Sequence, residues 1–153
     1  MALVKVDGQN NVIFLHLFGS HASYKRRYPD EFNKFYASAL NKLKERLHLT
    51  KVKQNTKNHY DNSVYYNDWV IYNILKLLKE TISKNKVATL TYFSDHAEDV
   101  IHGKGHSRSL FTYDMTQIPF IFWSSDAYRK KYPRTVKLLK NRVDSLYCND
   151  MIS

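Results

Sequence analysis

A single cysteine, Cys148, occurs in the 153 residues, so no intrachain disulfide can form and the redox compartment is left open. Only four glycines are present, few for an enzyme built on many phosphate-cradling turns. Long hydrophobic runs are missing too. None approaches the roughly 20 residues of a membrane span. The opening MALVKVDGQNNVIFLHLF has no charged n-region ahead of an apolar core, so it is not expected to act as a signal peptide. As written, the chain is expected to stay in the cytoplasm. There is no internal repeat and no low-complexity segment. Acidic residues are also scarce, 14 against 24 Lys and Arg, which gives a formal charge of +10. An anionic partner therefore fits: nucleic acid, an anionic membrane surface or a phosphorylated ligand. Charge alone does not choose among them.

What is present is the composition of a folded domain, or of a piece of one. The chain is 43% hydrophobic and 25% charged, with 12 Tyr and 8 Phe to fill a core. The most informative stretch is Val87 to His106, VATLTYFSDHAEDVIHGKGH. Its apolar, β-branched run ends abruptly in Ser94-Asp95-His96, followed by His102 and His106 in a loop with Gly103 and Gly105. In open parallel sheets, sites lie outside the carboxyl ends of strands. Asp and His together suit Zn²⁺, and a carboxylate with an imidazole also suits Mn²⁺. An isolated Asp-His pair is more often a turn cap beside a packed histidine, so the rest of the chain has to support the ligand reading.

Val12 to Phe18, VIFLHLF, reads as a strand buried on both faces, and His16 within it as a core histidine. His21, just after Gly19-Ser20, occupies the same kind of position as Asp95-His96. Tyr24 to Phe35 is cationic and aromatic, and Pro29 breaks any helix there. Lys25, Arg26 and Arg27 could contact phosphate or form a solvated basic loop. Ala37 to Leu49 reads as a basic amphipathic helix and Lys51 to Lys57 as a polar linker. The clearest helix runs from about Asn58 to Ser83, with Tyr60, Val64, Ile71, Ile74 and Leu78 on its apolar stripe. A strand from Val87 follows, so strand, helix and strand suggest a βαβ crossover. Gln117 to Ser124 is a third strand, entered through Pro119. Asp126 to Tyr147 reads as a basic helical tail with Val136, Leu139, Val143 and Leu146 on one face.

Five segments in this order, FLHLFGSH with RRYPDEFNKF, HYDNSVYYNDWVI, TYFSDHAED, GKGH and IPFIFWSS, resemble the sulfatase-like phosphoethanolamine transferases of the alkaline phosphatase superfamily. The resemblance covers Val12 to about Pro133, and the branch that modifies core heptose looks closer than the lipid A branch. It implies an α/β fold, part of an α/β/α sandwich with a mostly parallel central sheet. It implies one partial catalytic domain over residues 1–153, corresponding to the C-terminal part of the family's domain. The implied function is transfer of phosphoethanolamine from phosphatidylethanolamine to lipopolysaccharide core or lipid A, on the periplasmic face of the inner membrane. By the same resemblance Asp95 and His96 are metal ligands, for zinc or alternatively manganese. His21 and His106 face the phosphate group or a second metal, with His102 as a rival for the role of His106. Glu98 is implied to be structural, and Asp61 and Asn62, matching the family's Tyr-Asp-Asn helix start, to support the site from behind.

The departures are specific. The family's threonine nucleophile and an acidic metal ligand have no match: Thr89 and Thr91 fall in a strand, and Thr50, Thr56 and Thr135 border helices. The family's membrane helices and periplasmic disulfides are unmatched as well. Ala97 replaces the usual glycine after Asp-His. The expectation is therefore an inactive fragment, from a truncated or split gene, that needs an upstream polypeptide to complete it. Two other readings compete: a metal-dependent hydrolase of the same superfamily, and a non-catalytic basic binding module. Nucleic acid is not the expected partner, because the basic residues form no recognised motif.

Overall fold

The computed structural model describes residues 11–36 and 50–151. They divide into two compact units, one ending at Val70 and the other beginning at Ile71. The helix expected over Ala37 to Leu49 lies outside the described residues. Among those described, the long helix α1 (Lys51–Thr81) is followed by strand β1 (Thr89–Phe93), strand β2 (Phe120–Ser124), helix α2 (Asp126–Lys131) and helix α3 (Pro133–Lys140). No helix of the described residues is long and apolar enough to cross a membrane.

Helix α1 starts at Lys51, so the stretch read as a linker forms its first turns, and Tyr60-Asp61-Asn62 lies inside the helix rather than at its start. The Thr50 hydroxyl accepts from the Lys53 amide at 3.4 Å, in the manner of an N-cap. The face this early segment buries is polar, with Gln54, Asn58 and Asn62 at helical spacing and all buried. Hydrophobic periodicity cannot register such a face.

Asn62 has no exposed surface and organises the first unit. Its Oδ1 accepts from the amides of Lys34 and Phe35, both at 2.8 Å. Its Nδ2 donates to Asn33 Oδ1 at 2.9 Å, to the Phe35 carbonyl at 3.0 Å and to the Tyr28 hydroxyl at 3.3 Å. Tyr28 in turn bonds His59 Nδ1 at 2.6 Å. Burial, and then the charge of Lys25, hold the His59 imidazole below its ordinary pKa. Pro29 precedes a short 3₁₀ turn over Asp30–Phe32, which presents Phe32 to Tyr66, Trp69 and Tyr65 at ring distances of 4.8, 5.3 and 5.6 Å. The segment Val12 to Phe18 forms no strand: it has no regular secondary structure, and Phe14 and Phe18 are each 66% exposed. The βαβ crossover inferred from it is therefore not formed among the described residues.

In the second unit β1 and β2 pair antiparallel, with Thr89 opposite Ser124 and Phe93 opposite Phe120, so this two-stranded sheet does not itself display the mostly parallel sheet that the resemblance implies. Strand periodicity is the same in both senses of pairing, so the sequence could not fix the direction. Ser125 ties the sheet to α2. Its hydroxyl accepts from the amides of Ala88 and Tyr128 and donates to the Lys86 carbonyl. The tail departs from one long helix: it breaks at Tyr132, before Pro133, and α3 ends at Lys140.

Replacing Asn62 with alanine strands several buried backbone and side-chain groups at once. Urea unfolding of Asn62→Ala is expected to show a loss of about 2–3 kcal/mol, with the Tyr28 environment changed in near-ultraviolet dichroism.

Candidate metal centre

Strand β1 ends at Phe93, and the chain then turns sharply through Ser94-Asp95-His96. The Ser94 hydroxyl donates to the His96 carbonyl at 2.7 Å, and the His96 amide donates to Asp95 Oδ1 at 3.1 Å. Asn149, far along the chain, clamps this turn by donating to the carbonyls of Ser94 (3.2 Å) and Asp95 (3.1 Å). The turn at Ala97 is closed by its amide donating to the Met115 carbonyl at 2.9 Å.

His96 Nδ1 lies 3.0 Å from the Ala97 carbonyl, which only accepts, so Nδ1 carries the hydrogen and Nε2 the lone pair. The His106 ring stacks on His96 with centroids 4.2 Å apart, and His106 Nδ1 is 3.2 Å from Glu98 Oε1. The Glu98 side chain is only 5% exposed. One donor atom each from His96, Glu98 and His106 lies within 4.8 Å of the others. Asp95 points into water but keeps Oδ2 3.9 Å from His96 Nε2. A tetrahedral zinc with bonds near 2.0–2.1 Å places its donors roughly 3.3 Å apart, so a small rotation of Asp95 would let both residues reach one ion. The nitrogen and oxygen donors present here fit zinc. Hydrogen-bonding the remote imidazole nitrogen is also how metal-ligating histidines are oriented.

His102 takes a separate position. Its Nδ1 faces the Asp99 carboxylate at 2.9 and 3.0 Å and lies 3.8 Å from Asp114 Oδ2. Asp99 has no exposed surface, and it also accepts from the His102 amide at 2.8 Å and the Thr112 hydroxyl at 3.0 Å. Burial pushes its carboxyl pKa up. The hydrogen bonds from the His102 amide, Thr112 and the His102 ring, with the charge of His102, outweigh that and leave it below the usual carboxylate value. The Asp99 backbone exchanges hydrogen bonds with Gly105 at 2.8 and 3.1 Å and closes the loop. Gly103 and Gly105 make the return at φ +71° and +58°, the left-handed region where a side chain is strained.

Of the residues singled out from the sequence, the second unit thus brings His96 and His106 together, with Asp95 at their edge, and sets His102 against Asp99. His21 belongs to the first unit, where its ring meets the edge of Phe18 and its carbonyl accepts from Arg27 Nε at 2.8 Å. Arg27 also donates to the Ala22 carbonyl and lies over the Phe18 ring at 4.1 Å, and Lys25 pairs with Asp30. Arg26 lines a cleft of about 240 Å³ with Phe18, Tyr66 and Asn67. Sequence reasoning missed Asp99, Thr112 and Asn149, and it did not place Glu98 with the histidines. The alternation of acid and histidine through Asp95-His96, Glu98-Asp99 and His102 was the available signal.

A family model described as Sulfatase matches residues 2–148. The chain is 31% identical over 137 residues to phosphoethanolamine transferase EptC of Escherichia coli O18:K1:H7, which covers 86% of this chain and 23% of that protein. It is 33% identical over 129 residues to phosphoethanolamine transferase EptA of Escherichia coli K12, covering 80% and 22% respectively. The crystal structure of the soluble domain of lipooligosaccharide phosphoethanolamine transferase A from Neisseria meningitidis superposes with a TM-score of 0.58 at 27% identity. That match covers 76% of this chain and 34% of the other. The chain spans less than a quarter of the length of these two curated relatives.

The folded-state pKa of Asp99 lies below its unfolded value, so its stabilising contribution is complete at neutral pH and lost as pH falls from the unfolded toward the folded value. Asp99→Asn is expected to be less stable at pH 7 and to show a flatter decline in melting temperature below about pH 4 than the parent.

Proposed function

The chain belongs to the sulfatase family, and on that premise we propose that it is the metal-binding portion of a transferase that moves phosphoethanolamine onto lipopolysaccharide. The observation that carries this reading is the loop after β1, where Asp95, His96 and His106 come together at the end of a strand. Similarity to transferases named for phosphoethanolamine supports it. Phosphatidylethanolamine is the donor in this reading, and core heptose or the lipid A moiety the acceptor, at the periplasmic face of the inner membrane. The finer architecture follows the same premise: β1 and β2 lie within a mostly parallel sheet of an α/β/α sandwich, completed by protein beyond these 153 residues.

Asp95 and His96 would hold the metal, zinc before manganese, through Oδ2 and Nε2. When bound, such an ion lowers the pKa of a coordinated hydroxyl and offsets charge on phosphoryl oxygens. Glu98 fixes the His106 ring through Nδ1, and His106 would hold a non-bridging oxygen as negative charge shifts toward the leaving group; the resemblance gives His21 a role of the same kind. A threonine nucleophile from the family region unmatched here would carry the group before it passes to the acceptor hydroxyl. In this reading the 153 residues are inactive alone.

The test joins this chain to a polypeptide supplying the rest of the relatives' length and follows modification of lipopolysaccharide by mass spectrometry. Modified lipopolysaccharide is expected, with Asp95→Ala and His96→Ala each reducing it by at least 10–100-fold. Zinc titration of the chain by itself should weaken in the same two variants. Release of the group to water without an acceptor product would replace the transferase reading with a hydrolase of the same family.

A further inference from the structure

Between Ala127 and Val143 the sequence has no acidic residue. Arg129 is turned back onto the Ser124 carbonyl and Asp126. Lys130, Lys131, Arg134, Lys137, Lys140 and Arg142 then leave a concentrated positive field around α3. Successive helical residues turn by about 100°, which places Arg134, Lys137 and Lys140 on one side of α3. Val136, Leu138 and Leu139 fall on the other. A helix of this composition would ordinarily bury its apolar side, yet no residue of α3 is buried. Leu138 is 58% exposed, and beyond the helix end Val143 and Leu146 are 78% and 100% exposed.

We propose that α3 and its flanks dock on an anionic lipid surface. Leu138, Leu139 and Val143 enter the headgroup boundary, and the lysines and arginines meet lipid phosphates. The two halves of the pattern select this occupant together. A nucleic acid would neutralise the cations but leave the leucines in water. An apolar protein face would cover the leucines but needs acids at its rim to face six cations. An anionic bilayer supplies phosphate at its surface and hydrocarbon beneath it, the arrangement that interfacial basic helices use. This inference stands apart from the transferase reading, since it uses none of the residues of the loop after β1.

The whole chain is sedimented with vesicles of phosphatidylcholine alone and of phosphatidylcholine with phosphatidylglycerol. Binding is expected only to the anionic vesicles and should weaken as salt rises. Charge reversal in Lys137→Glu/Lys140→Glu should lower affinity by more than about tenfold. Leu138→Ser/Leu139→Ser should weaken binding while keeping its salt dependence. In Leu138→Trp, tryptophan emission should move to the blue on anionic vesicles and stay unchanged on neutral ones. Far-ultraviolet dichroism of each variant checks that the fold is kept, which the exposure of these positions favours. The proposal is overturned by equal binding to both vesicle types, by no binding to either, or by charge-reversed protein binding as well as the parent. Leucine variants that bind as tightly as the parent would also overturn it, because a purely electrostatic contact inserts nothing.

Discussion

The shape of the loop that carries the candidate site depends on one carboxylate withdrawn from water. Asp99 is enclosed, yet stays ionised because the His102 amide, the His102 ring and the Thr112 hydroxyl all donate to it. A buried charge without such donors would be costly, so the loop must bring these three groups to it or unfold. Once they are in place, the Asp99 backbone pairs with Gly105. That pairing fixes the length of the return between Glu98 and His106. The stacking of His106 on His96 follows from this closure, because apolar packing in this loop is slight beyond Val100 and Met115.

The first unit repeats the principle with a neutral group. Asn62 offers an acceptor and two donors, and all are used on the segment from Tyr28 to Phe35. The segment could not hold its form by regular secondary structure, since Pro29 interrupts it. In both units, then, a fully buried polar side chain replaces backbone ladders in ordering a loop. Such networks specify one geometry because each bond left unmade inside the protein is expensive. The apolar surface follows a different logic. Phe14 and Phe18 stay in water, which accords with a chain matching about a third of the solved soluble domain it resembles.

The sequence by itself determined the elements whose signal is local. An apolar β-branched run before Asp95-His96 predicts a strand ending in the candidate site, and β1 ends two residues before Asp95. A 3.6-residue apolar stripe marks the later part of α1, and Pro29 forbids a helix where two short turns lie. The family could be read as well, because five spaced segments carry far more information than any single pair of residues. Only the tertiary structure decided how these pieces meet. The antiparallel sense of the β1–β2 pair was closed to the sequence, because an alternating pattern is blind to the sense of pairing. The start of α1 escaped notice because it buries Gln54, Asn58 and Asn62, and periodicity analysis counts only apolar faces. The division of labour between His102 and His106 was equally closed to the sequence. Both follow the Asp-His pair at loop distance, and which one turns toward Asp99 depends on where Thr112 and Gly105 lie in space.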